Sequence, residues 1–122
     1  MNLDYFIKVA VEEAVKSDYK VNVGCVIFDK GKLISKGHNC KRHHRNLHPN
    51  FYKYRGEIHA EMNAIINAKR ELKSASILVV RINNQNQFRL SRPCSICMGY
   101  IDYIGFKNIF YSESSFPYIT KL

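Results

Sequence analysis

The chain has 122 residues, of which 46% are hydrophobic, and this length suits one compact domain, residues 1–122, rather than two. The N-terminus lacks a secretory pattern and no segment reaches the roughly 18 apolar residues of a membrane span, so we expect a cytoplasmic protein without membrane association. The formal net charge of +9 fits a phosphorylated substrate or a nucleic acid better than a neutral metabolite, with a solvated basic surface as the alternative.

The first part of the chain predicts a helix and a β-hairpin. Apolar residues recur at intervals of three to four between residues 2 and 17, which is typical of an amphipathic helix. Residues 21–28 and 33–39 then have the composition of two strands around "DKGK", whose Asp29 and Gly31 suit a tight turn. Both strands contain enough β-branched residues to be central in a sheet.

Residues 40–57 show neither the helical nor the strand periodicity, and this predicts a long loop. Loops of more than about 12 residues in a small domain are usually functional or disordered. Its basic residues are candidates for binding a substrate phosphate, because a guanidinium matches phosphate bidentately, with solvated surface as the alternative. Tyr52 and Tyr54 alternate with basic residues, as on single-strand-binding surfaces, although we favour loop packing as their role. The basic residues of this loop are Lys41, Arg42, Arg45, Lys53 and Arg55.

The second part of the chain predicts a helix followed by a strand, a helix and a strand. Residues 76–82 have the composition of a buried strand, Pro93 and Gly105 bound a further helix, and residues 108–112 predict a last strand. A strand, helix and strand in that order favour a parallel pair with a right-handed crossover, so the fold class is α/β with helices across the faces of the sheet. The earlier helix begins near Ile58, with helical spacing at Met62, Ile65, Ile66 and Leu72.

One histidine and two of the four cysteines, which we expect to be reduced, have the composition of a catalytic zinc site. Such a site has three protein ligands and leaves one position for water. His59, Cys94 and Cys97 supply this set, and the cysteine spacing places both sulfurs in the first turn of a helix, where the dipole favours thiolate. Glu61 is suited to move a proton from the water to a leaving amine. Residues two apart in a helix point about 200° apart, so we assume that the entry turn brings His59 and Glu61 together.

"HAE" at the start of one helix and "PCSIC" at the start of another match the H-x-E and P-C-x-x-C pattern of zinc deaminases. At these residues the chain resembles the cytidine and deoxycytidylate deaminase superfamily, and the resemblance runs through almost its whole length. It implies a cytidine deaminase-like three-layer fold with a mixed sheet of about five strands and helices on both faces. "HAEMNAI" looks most like the deoxycytidylate deaminases, because nucleoside deaminases usually have Cys at the position of His59 and tRNA adenosine deaminases usually lack Asn63.

The resemblance implies a role for each residue of the two motifs. His59, Cys94 and Cys97 bind Zn²⁺, and Glu61 carries the proton. The implied reaction is hydrolytic: activated water attacks C4 of cytosine, Glu61 protonates the ring nitrogen and then the amine, and ammonia leaves a uracil product. A cytosine nucleotide, first of all deoxycytidylate, is the implied substrate, and most relatives are homo-oligomers.

Further residues are candidate substrate contacts. The resemblance implies that Asn39 contacts the sugar, that the N–H of Ala60 meets the base carbonyl and that the carbonyl of Arg92 meets the departing amine. Asn63, one turn beyond His59, and Tyr111, at the end of the last strand, are weighed against simple packing. Arg42, Arg45 and Arg55 are the candidates for the phosphate.

One segment departs from the family pattern, a second metal site is considered, and two other functions stay open. The segment before "PCSIC" is longer than the family's direct connection, which predicts a small hairpin near the pocket rim. The histidines and Cys40 of residues 38–48 could hold a second, structural zinc, although a polar loop is the more frequent explanation. Deamination of cytosine or adenine within RNA or single-stranded DNA is the alternative activity, favoured by the charge, and an inactive zinc-bearing binding module is the non-enzymatic one.

Overall fold

The computed structural model describes residues 3–17, 21–40 and 58–122. These ranges contain three helices and six strands. In chain order they are α1 (Asp4–Val15), β1 (Asn22–Asp29), β2 (Lys32–His38), α2 (Ala60–Ala68), β3 (Ser76–Ile82), β4 (Phe88–Arg89), α3 (Ser95–Ile104), β5 (Asn108–Ser112) and β6 (Ile119–Lys121). The predicted loop over residues 40–57 lies outside the described residues, except for Cys40.

The six strands form one mixed sheet in the order β2-β1-β3-β5-β6, with β4 paired to the end of β3. Strands β3 and β5 are parallel, with Val79 opposite Tyr111, and helix α3 connects them. All other pairs are antiparallel. The predicted α/β class and parallel pair are therefore confirmed. The short strands β4 and β6 complete a sheet of six strands.

The helices cover both faces of the sheet, as predicted. Helix α1 packs on one face, where its apolar side meets Val26, Phe28, Leu78 and Val80. Helices α2 and α3 pack on the opposite face, against Cys25, Ile27, Ile77 and Val79. Because successive residues of a strand alternate between faces, odd-numbered residues of β1 and β3 face α2 and α3.

Helix α1 brings a buried carboxylate to strand β2. Glu13 lies among the buried residues of the helix, and its carboxylate meets Lys16 Nζ at 2.7 Å, His38 Nδ1 at 3.1 Å and Lys36 Nζ at 3.8 Å. Burial alone would raise the pKa of Glu13, but the hydrogen bonds from Lys16 and His38, with Lys36 nearby, lower it below its ordinary value. The charge of Glu13 therefore connects α1 to the C-terminal end of β2.

Two glycines allow the helices to approach the hairpin closely. A Cβ on Gly24 of β1 would lie 2.0 Å from the carbonyl oxygen of Ala10 in α1, and a Cβ on Gly37 of β2 would lie 2.5 Å from the backbone nitrogen of Ala64 in α2. Ser35, two residues before Gly37, donates to the Ala64 carbonyl oxygen at 2.8 Å. Helix α2, whose N-terminus carries His59, is thus held at short range against β2.

The structure corrects two sequence expectations. Strand β2 is an edge strand, since it pairs only with β1 among the strands of the described sheet, although its composition suggested a central one. Leu72 is buried but lies beyond α2, because the helix ends at Lys69, whose φ of 52° is left-handed. The hairpin turn matches expectation: Lys30 and Gly31 both have positive φ, as a type I′ turn requires.

Among the residues that the structure describes, no helix combines the length and the apolar character needed to cross a membrane.

Gly37→Ala tests the close contact between α2 and β2. We expect the free energy of unfolding to fall by about 1–3 kcal/mol, because the new methyl group overlaps backbone atoms that cannot rotate away. The control is Gly99→Ala on the exposed side of α3, which should instead add about 0.5–1 kcal/mol. Urea denaturation measures both, and an unchanged stability of Gly37→Ala would contradict the close packing.

Candidate metal centre

His59, Cys94 and Cys97 converge on one point, although 35 residues separate the histidine from the first cysteine. The His59 Nδ1 atom lies 3.9 Å from the Cys94 Sγ atom and 3.5 Å from the Cys97 Sγ atom. All three candidate ligand atoms lie within 4.8 Å of one another. In the described part of the chain, no other group of three such side chains comes together in this way.

The spacing of these atoms fits a tetrahedral zinc ion. Bonds of about 2.3 Å to sulfur and about 2.0–2.1 Å to nitrogen, at a tetrahedral angle, place nitrogen and sulfur about 3.6 Å apart. The two observed N–S distances bracket this value. A set of one imidazole and two thiols is also the donor chemistry that zinc prefers. The three residues can therefore hold zinc and leave a fourth position for water or substrate.

Two helix N-termini bring the ligands together. His59 is the N-cap of α2, and Cys94 is the N-cap of α3. The backbone N–H of Cys97 donates to the Cys94 Sγ atom at 3.5 Å, which holds the first cysteine over the first turn of α3. Residue Ile58, just before His59, exchanges two backbone hydrogen bonds with Cys40 at 2.8 and 3.0 Å. The chain on both sides of the ligands is thus anchored.

Glu61 reaches the same site because His59 is not helical. The φ and ψ angles of His59 are −74° and 157°, which is extended backbone, so the 200° separation expected within a helix does not apply. The assumption about the entry turn is confirmed. The Glu61 side chain is 5% exposed, and its carboxylate is hydrogen-bonded to Cys97 and to its own backbone N–H.

The electrostatics of the site favour a bound cation. Burial raises the pKa of Glu61, and the hydrogen bond to Cys94, burial and the Glu61 carboxylate raise the pKa of Cys97. This is opposite to the lowered thiol pKa that the helix dipole alone suggested. Two thiols and a carboxylate crowd one buried space, so each disfavours ionisation of the others. A divalent cation would reverse this effect, and its binding would release protons.

A buried pair of serines, which the sequence analysis missed, holds the segment before Cys94. The Ser91 hydroxyl donates to the Val79 carbonyl oxygen at 2.7 Å and accepts from the Ser112 N–H at 2.8 Å. The Ser112 hydroxyl donates to the Arg89 carbonyl oxygen at 2.6 Å and accepts from the Arg81 N–H at 2.9 Å. These bonds connect the segment to β3 and β5. Isolated serines carry no sequence signal for such a network.

Asn39 and Ala60 are the predicted contacts of the sugar and the base. The Asn39 Oδ1 atom accepts from the Val23 N–H at 3.1 Å, and its Nδ2 atom donates to the Val21 carbonyl oxygen at 2.7 Å. Ala60 is the first residue of α2, so its N–H has no acceptor within the helix. Both are held in place by the backbone, and their roles toward the sugar and the base stay predictions.

Asn63, Tyr111 and Arg92 have different surroundings. The Asn63 Nδ2 atom donates to the His38 carbonyl oxygen at 2.9 Å, and its Oδ1 atom accepts from Asn67 at 3.2 Å. These bonds join α2 to the end of β2 and give Asn63 a structural task beside its predicted substrate contact. Tyr111 is buried on β5, whereas Arg92 is exposed just before Pro93. Their predicted substrate contacts stay predictions as well.

The predicted phosphate ligands Arg42, Arg45 and Arg55 lie outside the described residues. The same is true of most of the histidine-rich segment 38–48 that was weighed as a second zinc site. Its described members have other contacts: His38 binds Glu13, and Cys40 Sγ lies 4.0 Å from the Asn63 Nδ2 atom. The second zinc stays a prediction.

Comparison with known families identifies the domain type. The family described as "Cytidine and deoxycytidylate deaminase zinc-binding region" matches residues 1–113. Two curated tRNA-specific adenosine deaminases of Streptococcus pyogenes, from serotype M18 (strain MGAS8232) and serotype M1, are each 29% identical over 113 residues. The match covers 91% of this chain but 62% and 58% of those proteins. The chain thus spans about three fifths of the length of the curated relatives it matches.

Solved structures share the fold. The dCMP deaminase of cyanophage S-TIM5 in its apo form is 18% identical with a TM-score of 0.66, covering 90% of this chain and 81% of that chain. A cytidine deaminase from Burkholderia pseudomallei is 17% identical with a TM-score of 0.66, covering 100% of this chain and 92% of that chain. The predicted three-layer arrangement is confirmed by this likeness.

Zinc content tests the ligand set. We expect the protein to retain zinc through gel filtration, and His59→Ala and Cys97→Ala to lose it, because each removes one of only three protein ligands. The control is Cys25→Ala, which removes a buried thiol on β1 outside the ligand set. Atomic absorption gives the zinc content. Equal loss of zinc from the Cys25 and Cys97 variants would contradict the assignment.

Proposed function

Because the chain belongs to the cytidine and deoxycytidylate deaminase zinc-binding family, we propose that it is a zinc-dependent hydrolytic deaminase of a cytosine nucleotide, first of all deoxycytidylate. The observation that carries the proposal is the convergence of His59, Cys94 and Cys97 with the buried carboxylate of Glu61 hydrogen-bonded beside them. An open zinc position next to a buried carboxylate is the arrangement that hydrolytic chemistry needs.

The proposed reaction breaks the bond between C4 and the amine of cytosine and consumes one water molecule. A zinc ion held by His59, Cys94 and Cys97 would supply Lewis-acid activation of that water. Glu61 accepts one proton from the water and gives it to the ring nitrogen. It then takes the proton of the hydroxyl group now attached to C4 and gives it to the amine, which leaves as ammonia. Burial raises the pKa of Glu61, so its carboxylate is a stronger base than that of an ordinary glutamate.

Backbone groups at the two motifs are proposed to orient the base. The N–H of Ala60 has no acceptor within α2 and is available to the base carbonyl. The carbonyl of Arg92 precedes Pro93 and is proposed to accept from the departing amine. Asn39, held by the start of β1, is proposed to contact the sugar. Cytoplasmic location and a homo-oligomeric state belong to the same proposal.

A second candidate is deamination of cytosine or adenine within RNA or single-stranded DNA. The relatives named tRNA-specific adenosine deaminase and the net charge of +9 support it. A base in a strand must be unstacked or already single-stranded to reach the metal. The two candidates differ in the substrate but share the same metal centre and the same role for Glu61.

A substrate panel distinguishes the candidates. Ammonia release is measured with zinc-loaded protein on deoxycytidylate, cytidylate, deoxycytidine, cytidine, adenosine, and cytosine- or adenine-containing DNA and RNA oligonucleotides. The first proposal expects turnover of free cytosine nucleotides. Turnover confined to oligonucleotides, with a steep fall as salt increases, would replace it with the second. No ammonia from any of these substrates would contradict both.

Glu61→Gln tests the proton-carrying role. We expect kcat to fall by about 10²–10⁴-fold, because the amide cannot accept or donate the proton, while zinc content stays unchanged. Glu71→Gln, an exposed glutamate beyond α2, is the matched control and should keep full activity. If Glu61→Gln retained the activity of the unaltered protein, the proposed mechanism would be wrong.

A further inference from the structure

The β3–β4 hairpin places two arginines directly opposite each other. Arg81 on β3 pairs with Arg89 on β4, and Ile82 pairs with Phe88 in the next position. Like charges directly opposite across two strands destabilise the pairing unless something neutralises them. The hairpin lies in the segment that is longer than the family's usual connection, so these two arginines are a feature of this chain that the shared motifs do not explain.

Both arginines belong to the face of the sheet that carries the metal centre. Ile77 and Val79 pack toward α2 and α3, and Arg81 follows them at the same alternation. Ile82 and Phe88 pack toward α1 on the other face. Since residues opposite each other across two strands point to the same face, Arg89 lies on the same face of the sheet as Arg81.

The positive charge of the pair is not neutralised by the described part of the protein. Among the described residues, Glu13 pairs with Lys16, Lys36 and His38, whereas neither Arg81 nor Arg89 has a carboxylate within 4.0 Å. The Arg89 guanidinium makes only long contacts of 3.4 Å to the Phe88 carbonyl oxygen and to Gln87 Oε1. Two guanidinium groups without a carboxylate are suited to bind an anion.

The two arginines line a cavity of about 160 Å³. Val21, Ile82, Asn83 and Asn84 form the rest of its wall. The Asn83 Oδ1 atom accepts from the backbone N–H groups of Gln85 and Gln87, each at 2.9 Å, so the turn beside the cavity has a defined shape. The cavity is therefore polar, basic and built on paired strands.

Hydrogen bonds connect this cavity to both sides of the proposed active site. Asn39, the predicted sugar contact, donates to the carbonyl oxygen of Val21 in the cavity wall and accepts from Val23, which is opposite Arg81 across the sheet. On the other side, the carbonyl oxygen of Arg89 accepts from Ser112, whose serine pair holds the segment before Cys94. Hydrogen bonds thus link the cavity to Asn39 on one side and to the segment before Cys94 on the other.

We infer that Arg81 and Arg89 form a phosphate-binding subsite for the substrate whose base is deaminated at His59, Cys94 and Cys97. This inference rests on the proposed function and names the substrate class, a phosphorylated one. The phosphate is either the monoester of a free nucleotide or a phosphodiester of a strand, since a guanidinium pair binds both. The anion also removes the repulsion between the two arginines.

The test compares the double variant Arg81→Gln, Arg89→Gln with Arg70→Gln, an exposed arginine outside the cavity. We expect the double variant to raise the KM for deoxycytidylate at least about 10-fold, the effect of losing one charged contact of about 1.4 kcal/mol, and to leave the KM for deoxycytidine unchanged. Its zinc content and unfolding midpoint show that the fold is retained. Arg70→Gln should match the unaltered protein throughout.

Two further measurements distinguish the two sources of the phosphate and test the subsite independently of turnover. If an oligonucleotide is the substrate, the double variant should raise its KM and make the salt dependence shallower, which assigns the subsite to a phosphodiester. Binding of inorganic phosphate by calorimetry, weakened in the double variant only, tests the subsite without any turnover. Should no substrate react, the proposed function fails while calorimetry still decides whether the cavity binds anions. Unchanged phosphate affinity, or an unchanged KM for every phosphorylated substrate, overturns the inference.

Discussion

Two helices begin at the same place above the sheet, and this meeting of N-termini is the constraint on which the site depends. Helix α2 starts after His59 and helix α3 after Cys94, and both pack on the face formed by Cys25, Ile27, Ile77 and Val79. Three ligand atoms from distant parts of the chain come within reach of one ion for this reason. Burying Glu61 beside two thiols costs free energy, as the raised pKa values of Glu61 and Cys97 indicate. Close packing at Gly37 and the Ser91–Ser112 pair hold the arrangement against that cost.

Much of the fold could be predicted because its signals are local and strong. Strands β3 and β5 have the predicted bounds, since both are short runs rich in apolar residues that end in polar ones. Helix α3 ends where Gly105 predicts, with a φ of 88° that favours glycine. The parallel pair followed from the order of elements. The candidate metal ligands could be predicted because residue type and spacing are themselves the chemical requirement. Spacing did not show how His59 and Glu61 reach one site, and the extended backbone of His59 explains it.

Other features depend on tertiary contacts that the sequence does not display. Whether β2 is central or at the edge is decided by what pairs beside it, not by its own β-branched residues. Strand β6 has three residues and no alternation long enough to detect. The pairing of Arg81 with Arg89 depends on the register of a strand of two residues. Asn63 was considered as a substrate contact because of its position in the motif, yet the hydrogen bonds of its side-chain amide join α2 to β2. Register and burial of this kind appear only once the elements are assembled.

Glu13 has a consequence for the side of the active site where the sugar is proposed to bind. Its carboxylate links α1 to His38, the residue just before Asn39, and its pKa lies below the ordinary value for glutamate. A carboxyl group with a lowered pKa stays charged as the solution becomes mildly acidic and loses its charge only when the pH falls below that ordinary range. The contact between α1 and the end of β2, just before Asn39, therefore keeps its negative charge under mildly acidic conditions.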